Sequence, residues 1–245
     1  MNKIQLCLTA ALIAGPVRGN ETLAPFQPAM ASLSNELEFD ALRGRVKNFE
    51  QVLLGSDEGQ LTIAKGRFDL HGCLKEYERM DFVNGQSIRL ARADNSNTLV
   101  SARDKRNTIV LNKACQIVGT TNSASPVSKL YIYDKNLLVK VKDARNAWVY
   151  KEYFYTPEGM PESTVFYGEE HDVLLITVPK RKLAEPWDFI TQGLDNGVPF
   201  YQALKKCHYD KKGNPSVCDF VVDTLIQGGA TETEHQQIRY TTTYY

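Results

Sequence analysis

Four cysteines, four histidines and one short acidic cluster are the residues of this chain whose chemistry matters most. Cys73, Cys115, Cys207 and Cys218 show no C-x-x-C spacing, and His71, His171, His208 and His235 are scattered. A structural zinc site draws on close cysteine pairs with histidines nearby, so no metal site is expected. An even set of separated cysteines suits disulfides in an oxidising compartment. Glu169, Glu170 and Asp172 flank His171, and a carboxylate pair there would permit hydrolytic chemistry. The same residues lie between Tyr167 and an apolar run starting at Val173, where a charged cluster is the ordinary content of a turn. Neither G-x-S-x-G nor H-E-x-x-H occurs. No catalytic, cofactor-binding or metal-ligating residue is therefore expected.

The elements that position these residues read as short strands and polar turns. The 245 residues are 42% hydrophobic, enough for a core, and carry 29 basic against 29 acidic side chains. That balance provides no basic field for nucleic acid. From about Val46 the pattern is a meander, giving a mainly β fold: antiparallel hairpins in a sandwich or an open, barrel-like sheet. Asn84-Gly85 and Asn196-Gly197 separate strand-like runs and suit type I′ turns. Val173–Val178 (VLLITV) reads as a central strand. In WVYKEYFY, Tyr153 and Tyr155 share one strand face and Tyr150 and Phe154 the other, so one set could form an aromatic binding platform. Lys151 and Glu152 put charge on both faces, which argues against a lipid-facing barrel strand. No helical apolar period is sustained; Phe49–Leu54 is too short to decide, and at most one short helix is expected.

Tyr155–Pro161 and Tyr209–Pro215 both read Y-x-x-x-G-x-P, and Tyr131–Asn136 is a weaker copy. Such units resemble the tyrosine–aspartate hairpins of YD-repeat proteins, with glycine taking positive φ in the turn. With a six-residue turn from Asp210 to Pro215, Tyr209 would face Ser216, His208 Val217 and Cys207 Cys218. Facing residues in a non-hydrogen-bonded pair sit at disulfide distance, so Cys207–Cys218 is expected and Cys73–Cys115 follows by elimination.

The start of the chain has the layout of a secretory signal: Lys3, an uncharged run from Ile4 to Gly15 holding Cys7, then the break at Pro16-Val17-Arg18-Gly19. The run is too short to span a bilayer. Val17 and Gly19 suit signal-peptidase cleavage before Asn20. The expected organisation is a signal peptide at 1–19, a tether at 20–44 with apolar anchors Leu23, Phe26, Met30, Leu33, Leu37 and Phe39, and one β domain at 45–245. Leu12-Ile13-Ala14-Gly15 has the form of a lipobox front, yet Pro16 stands where the acylated cysteine would be.

Residues 28–49 (PAMASLSNELEFDALRGRVKNF) resemble the start of the mature region in the YnfC family of enterobacterial envelope lipoproteins, with mild departures at Ala29, Leu33, Leu37 and Ala41. The resemblance continues at Gly72-Cys73, Cys115-Gln116, Cys207-His208-Tyr209-Asp210, Asn214-Pro215, Cys218 and Tyr244-Tyr245. It implies a protein of the periplasm or cell envelope, with relatives held at a membrane by a lipid anchor, and it supplies no activity and no catalytic residue. The expected function is a non-enzymatic binding or structural module with an envelope partner or ligand of unknown identity. The alternative is a periplasmic hydrolase with an unrecognised carboxylate site. Because Pro16 replaces the acyl acceptor, palmitate labelling of the expressed protein should yield an unlabelled product beginning near Asn20; a labelled, membrane-bound product would contradict this reading.

Overall fold

In the computed structural model every strand is hydrogen-bonded antiparallel to its neighbours, and the last strand returns to the first to close a barrel. The structure describes residues 28–92, 96–103, 108–122, 125–155, 161–179, 185, 187–225 and 229–245. The expected signal at 1–19, the anchors Leu23 and Phe26, and the turn at 156–160 with Gly159 lie outside them.

A single helix, α1 (Pro28–Leu37), opens the described chain. The strands are β1 (Val46–Leu54), β2 (Gln60–Phe68), β3 (Leu74–Asp81), β4 (Gln86–Arg92), β5 (Thr98–Ser101), β6 (Thr108–Leu111), β7 (Ile117–Asn122) and β8 (Ser125–Asp134). The circuit continues with β9 (Leu137–Asp143), β10 (Val149–Tyr155), β11 (Pro161–Tyr167), β12 (Asp172–Pro179), β13 (Phe189–Asp195), β14 (Val198–Tyr209), β15 (Pro215–Leu225) and β16 (Thr231–Tyr244). The sandwich option is thus replaced by full closure, which leaves no unpaired sheet edge among the described residues.

A closed sheet presents alternate side chains to its interior. Phe49, Phe68, Tyr77, Leu90, Leu99, Ile117, Tyr131, Leu138, Val141 and Tyr153 supply the apolar interior from β1 to β10, and α1 lies among them. Met30, Leu33 and Leu37, spaced on one helical face, are buried there with Phe39 and Leu42. The stretch read as a tether is therefore part of the core from Pro28 onward. Proline is favourable in the first helical turn. The helix ends as Phe39 N–H donates to the Ser34 carbonyl at 3.2 Å with Glu38 left-handed at φ 58°, the pattern of a Schellman stop. Phe49 lies directly over Gly66, where an added Cβ would meet its ring at 2.2 Å, so only glycine fits at that position of β2.

The hairpins follow their turn residues, with two corrections. Asn196 and Gly197 both take positive φ between paired Asp195 and Val198, a two-residue type I′ turn. At Asn84-Gly85 only Gly85 does, and the loop spans four residues because Asp81 pairs with Gln86 and its carboxylate accepts from Asn84 N–H and Nδ2. Tyr209 pairs with Pro215 rather than Ser216, since a register shift follows His208; Cys207 still faces Cys218. β12 has neighbours on both sides, but Val178 is exposed, so its outer face is uncovered.

Both disulfides are formed, Cys207–Cys218 with Cα atoms 4.0 Å apart and Cys73–Cys115 with 5.2 Å. In the chain-entropy view these loops contribute about 3 and about 4 kcal/mol. The turn at Asp210 has a fixed form: Asp210 Oδ1 accepts from Lys212 and Asn214 N–H, and Gly213 has φ 77°. Asp69 does the same for His71 and Cys73 with Gly72 at φ 81°, and Asn112 for Ala114 and Gln116 with Cys115 at φ 61°. These two turns are closer equivalents of the Asp210 turn than Tyr131–Asn136, which closes as a two-residue turn at Lys135-Asn136. Gly213→Val should destabilise the protein by roughly 1–3 kcal/mol, read as a lowered urea midpoint with unchanged slope, because valine resists the left-handed region; an unchanged midpoint would show that the turn tolerates it.

Candidate functional site

The segment that fills the barrel is held by side chains from all round the wall. Gln51 brackets the backbone of Asp40, accepting from its N–H at 3.0 Å and donating to its carbonyl at 3.1 Å. Asn214, fully buried, treats Arg43 the same way at 2.6 and 2.9 Å. Glu36 accepts from the hydroxyls of Tyr153 (2.8 Å) and Tyr131 (3.0 Å) and from Lys151 Nζ (3.3 Å). Tyr77 donates its hydroxyl to the Leu37 carbonyl, and Asn35 donates to the Tyr155 hydroxyl.

A second interior cluster surrounds Lys205, which is 1% exposed. Its ammonium donates to Asp40 at 2.6 Å and lies 5.0–5.2 Å from the ring centroids of Phe220, Trp187 and Phe189. Tyr240 donates to the same carboxylate. Removing one member of such a pair costs about 3–5 kcal/mol, because the other charge stays buried. The Lys205 ammonium and the Asp40 carboxylate are thus paired within the protein, while the buried Trp187 Nε1–H meets no acceptor among the described residues.

A concentration of cations lies at one end of the barrel, where chain segments leave even-numbered strands. A cavity of about 670 Å3 is lined there by Lys47, Arg67, His71, Lys75, Arg92 and Lys113, together with the Cys73–Cys115 bond and Tyr245. Asp69 is the one carboxylate side chain in that wall, and it is engaged: Arg92 donates to it, as do the His71 and Cys73 N–H groups. Burial pushes its carboxyl up, but those hydrogen bonds and the guanidinium outweigh burial and hold it below the ordinary value. A neighbouring groove of about 450 Å3 is different: Glu50, Glu76 and Glu78 line it beside Lys65, Arg67 and Arg89, with Lys65–Glu50 at 2.9 Å and Arg67–Glu76 at 2.5 Å.

The residues weighed as a hydrolytic site do not converge. Gly168–Asp172 is an exposed turn, closed by Gly168 N–H on the His171 carbonyl. His171 reaches the partly buried Asp195 at 3.3 Å. Among the described residues no three His, Cys, Asp or Glu side chains are grouped to hold a metal. The aromatic platform is also absent from β10: Tyr153 is core, Tyr155 donates to the Leu138 carbonyl, Tyr150 donates to Asp143, and only Phe154 stands outward. The cation-lined cavity was not visible in the sequence, since its residues span positions 47 to 245; the one local hint was the D-x-x-G-C turn that seats Cys73.

The model of the uncharacterised protein family UPF0257 matches residues 1–245. The chain belongs to UPF0257. Its similarity extends to UPF0257 lipoprotein YnfC of Escherichia coli O157:H7 and of strain K12, each 27% identical over 221 residues, covering 90% of this chain and 89% of the relative. Among solved structures, a porin-like protein from Bacteroides uniformis aligns over 91% of this chain and all of its own at TM-score 0.47 and 11% identity. A LolA superfamily protein from Nitrosomonas europaea aligns over 89% and 92% at TM-score 0.27 and 9% identity. Likenesses this loose carry no argument about function. In UPF0257 terms, the blocks that resembled the family map onto working parts of this fold: the core segment at 28–43, both disulfides and the Asp210–Asn214 turn.

Buried phenols make the interior sensitive to alkali. Burial raises the pKa of Tyr77, Tyr131, Tyr153, Tyr155 and Tyr240 above the ordinary value, and that of Tyr133 to about 12. An unfolded chain releases these protons near pH 10 while the native state retains them, so stability is full below that pH and falls above it, by about 1.4 kcal/mol per pH unit for each such group. Phenolate absorbance at 295 nm should therefore appear together with loss of far-ultraviolet circular dichroism above pH 10; full ionisation of a protein that remains folded would contradict this.

Proposed function

We propose that this UPF0257 chain is a non-enzymatic module of the cell envelope that works outside the cytoplasm by binding or by structural support. The observation that carries the reading is the filled barrel: the interior is occupied by the chain's own segment 28–43, whose Glu36 and Asp40 are paired with side chains of the wall, and the open cavity at one end presents cations rather than a nucleophile with a base. Two disulfides suit an oxidising compartment, and the curated relatives are named lipoproteins. In this reading residues 1–19 act as the export signal, and 20–44 link it to the β domain at 45–245, the part from Pro28 being held inside that domain. Pro16 stands where the acyl acceptor would be, and the reading puts the mature chain in the periplasm or cell envelope.

The outer wall also fits an aqueous setting. Lys65–Glu50, Arg67–Glu76 and Lys140–Glu152 lie across adjacent strands on the outside, and charge in the middle of a lipid-facing belt is costly. The test is recovery and assay of the full chain. It should fractionate with the periplasm with no free thiol to alkylate, and the purified protein should not turn over ester, glycoside, peptide or phosphoester substrates. Cytoplasmic recovery with reduced cysteines would overturn the compartment, and a turnover lost in His171→Ala or Glu170→Gln would replace the reading with hydrolysis.

A further inference from the structure

We infer that the end of the barrel built from the turns after even-numbered strands is a docking surface for an anionic phospholipid bilayer. This deepens the envelope reading above and rests on it.

The argument begins with how a neutral chain distributes its charge. Acids and bases are equal in number, yet the two ends of the barrel differ in sign. At one end Arg45 and Lys47 stand at the entry to β1, Lys113 in the β6–β7 turn, Lys135 in the β8–β9 turn, and Lys211 and Lys212 in the β14–β15 turn, all exposed. Arg45 donates to the Leu70 carbonyl, and Lys47 and Lys212 lie over the Tyr245 and Tyr244 rings, contacts that hold these cations without neutralising them. Of the carboxylates in and beside the same turns, Asp69 and Asp210 are taken up by turn N–H groups, and Asp134 stands exposed. The opposite end exposes Asp57, Glu58, Glu169, Glu170 and Asp172 against Arg103 and Arg145. The molecule is polarised along the barrel axis. A planar anionic surface attracts the first end and repels the second, and so selects one orientation.

The second argument is shape. The strand order puts β1 and the β14–β15 turn on one side of the rim and the β6–β7 and β8–β9 turns on the other. The cations therefore form a ring rather than the lining of one pocket. A small anion would meet one arc of that ring; an extended anionic plane meets all of it. Charged pairs across the outer wall keep the strands themselves out of lipid, so contact is confined to an end. The third argument is what accompanies the cations. Leu70 and Tyr245 stand on the same rim, 58% and 44% exposed. Tyrosine is favoured at headgroup level, and an apolar side chain beside cations can enter the boundary below it. The acidic end also has exposed apolar residues, Phe82, Val83 and Trp148, but there a negatively charged bilayer meets carboxylates beside them.

Flotation of the full chain with vesicles of phosphatidylcholine alone, and of phosphatidylcholine mixed with phosphatidylglycerol, tests this directly. Binding confined to the phosphatidylglycerol vesicles and weakened by added salt supports the inference. Lys113→Gln and Lys211→Gln, on opposite sides of the rim, should each weaken partitioning about fivefold. Arg103→Gln makes the same change of net charge at the acidic end and should leave partitioning unchanged; native circular dichroism in each variant separates lost contact from lost fold. Equal losses in all three variants would reduce the effect to net charge and overturn the docking surface. Equal flotation with both kinds of vesicle would assign binding to an acyl chain or to apolar insertion and overturn it as well. Salt-sensitive self-association without flotation would pair the unlike ends of successive copies, again overturning the inference. Absence of any binding would overturn it while leaving the non-enzymatic envelope reading intact, and release of fatty acid from the vesicles would overturn that reading while leaving the docking surface standing.

Discussion

A closed sheet of sixteen strands encloses more space than its own inward side chains fill, and when those side chains are apolar nearly every other feature of the structure answers to what occupies that space. Water inside would leave the inward-facing leucines and aromatics unburied, and an empty interior would forfeit their contacts. The chain solves this with the segment just ahead of β1. Its helix supplies Met30, Leu33 and Leu37, and its extended part supplies Phe39 and Leu42. The segment between Leu37 and β1 belongs to no strand, and its backbone groups draw on side-chain partners: Gln51 serves Asp40 and Asn214 serves Arg43, each amide accepting from the N–H and donating to the carbonyl of the same residue.

The polar contents of the interior follow the same logic. Glu36 and Asp40 bring negative charge inward, and each meets a lysine and tyrosine hydroxyls from the wall. Such pairs add little net stability against an apolar filling of equal shape, but they admit one seating of the segment and penalise others, since a slipped segment would leave charges unmatched. The disulfides act at the ends. Cys207–Cys218 staples two neighbouring strands, while Cys73–Cys115 spans from the β2–β3 turn to the β6–β7 turn and draws that end of the barrel together.

Local features of this fold were legible in the sequence, and global ones were not. Alternation and turn residues located most strands, Asn196-Gly197 gave its hairpin, and the spacing around Asp210 gave the facing of Cys207 and Cys218. These depend on residues within a dozen positions of one another. Closure did not show, because the pairing of β1 with β16 joins the two ends of the chain and leaves no local mark. The helix was obscured for a different reason: only Met30, Leu33 and Leu37 carry its period, among serines and acids that suit a loop equally well. The slip at Tyr209 and the four-residue loop at Asn84 are register details decided by neighbouring strands. At the candidate site, each lysine taken singly is an ordinary surface lysine, and only the barrel shows that several share one wall.

The contact between Asp40 and Tyr240 joins residues 200 positions apart, and this sets an order of events during biogenesis. The filling segment leads the strands into the new compartment, yet the residue that receives its carboxylate arrives last. Until β16 emerges, Met30, Leu33 and Leu37 have no complete cavity to enter, and β1 offers an open edge. Contacts so distant along the chain slow folding, because the loop they close must be ordered before they repay it. A chain of this design spends its longest vulnerable interval as a nearly complete, unclosed sheet, so its yield in the envelope is governed by how well that interval is shielded from its neighbours.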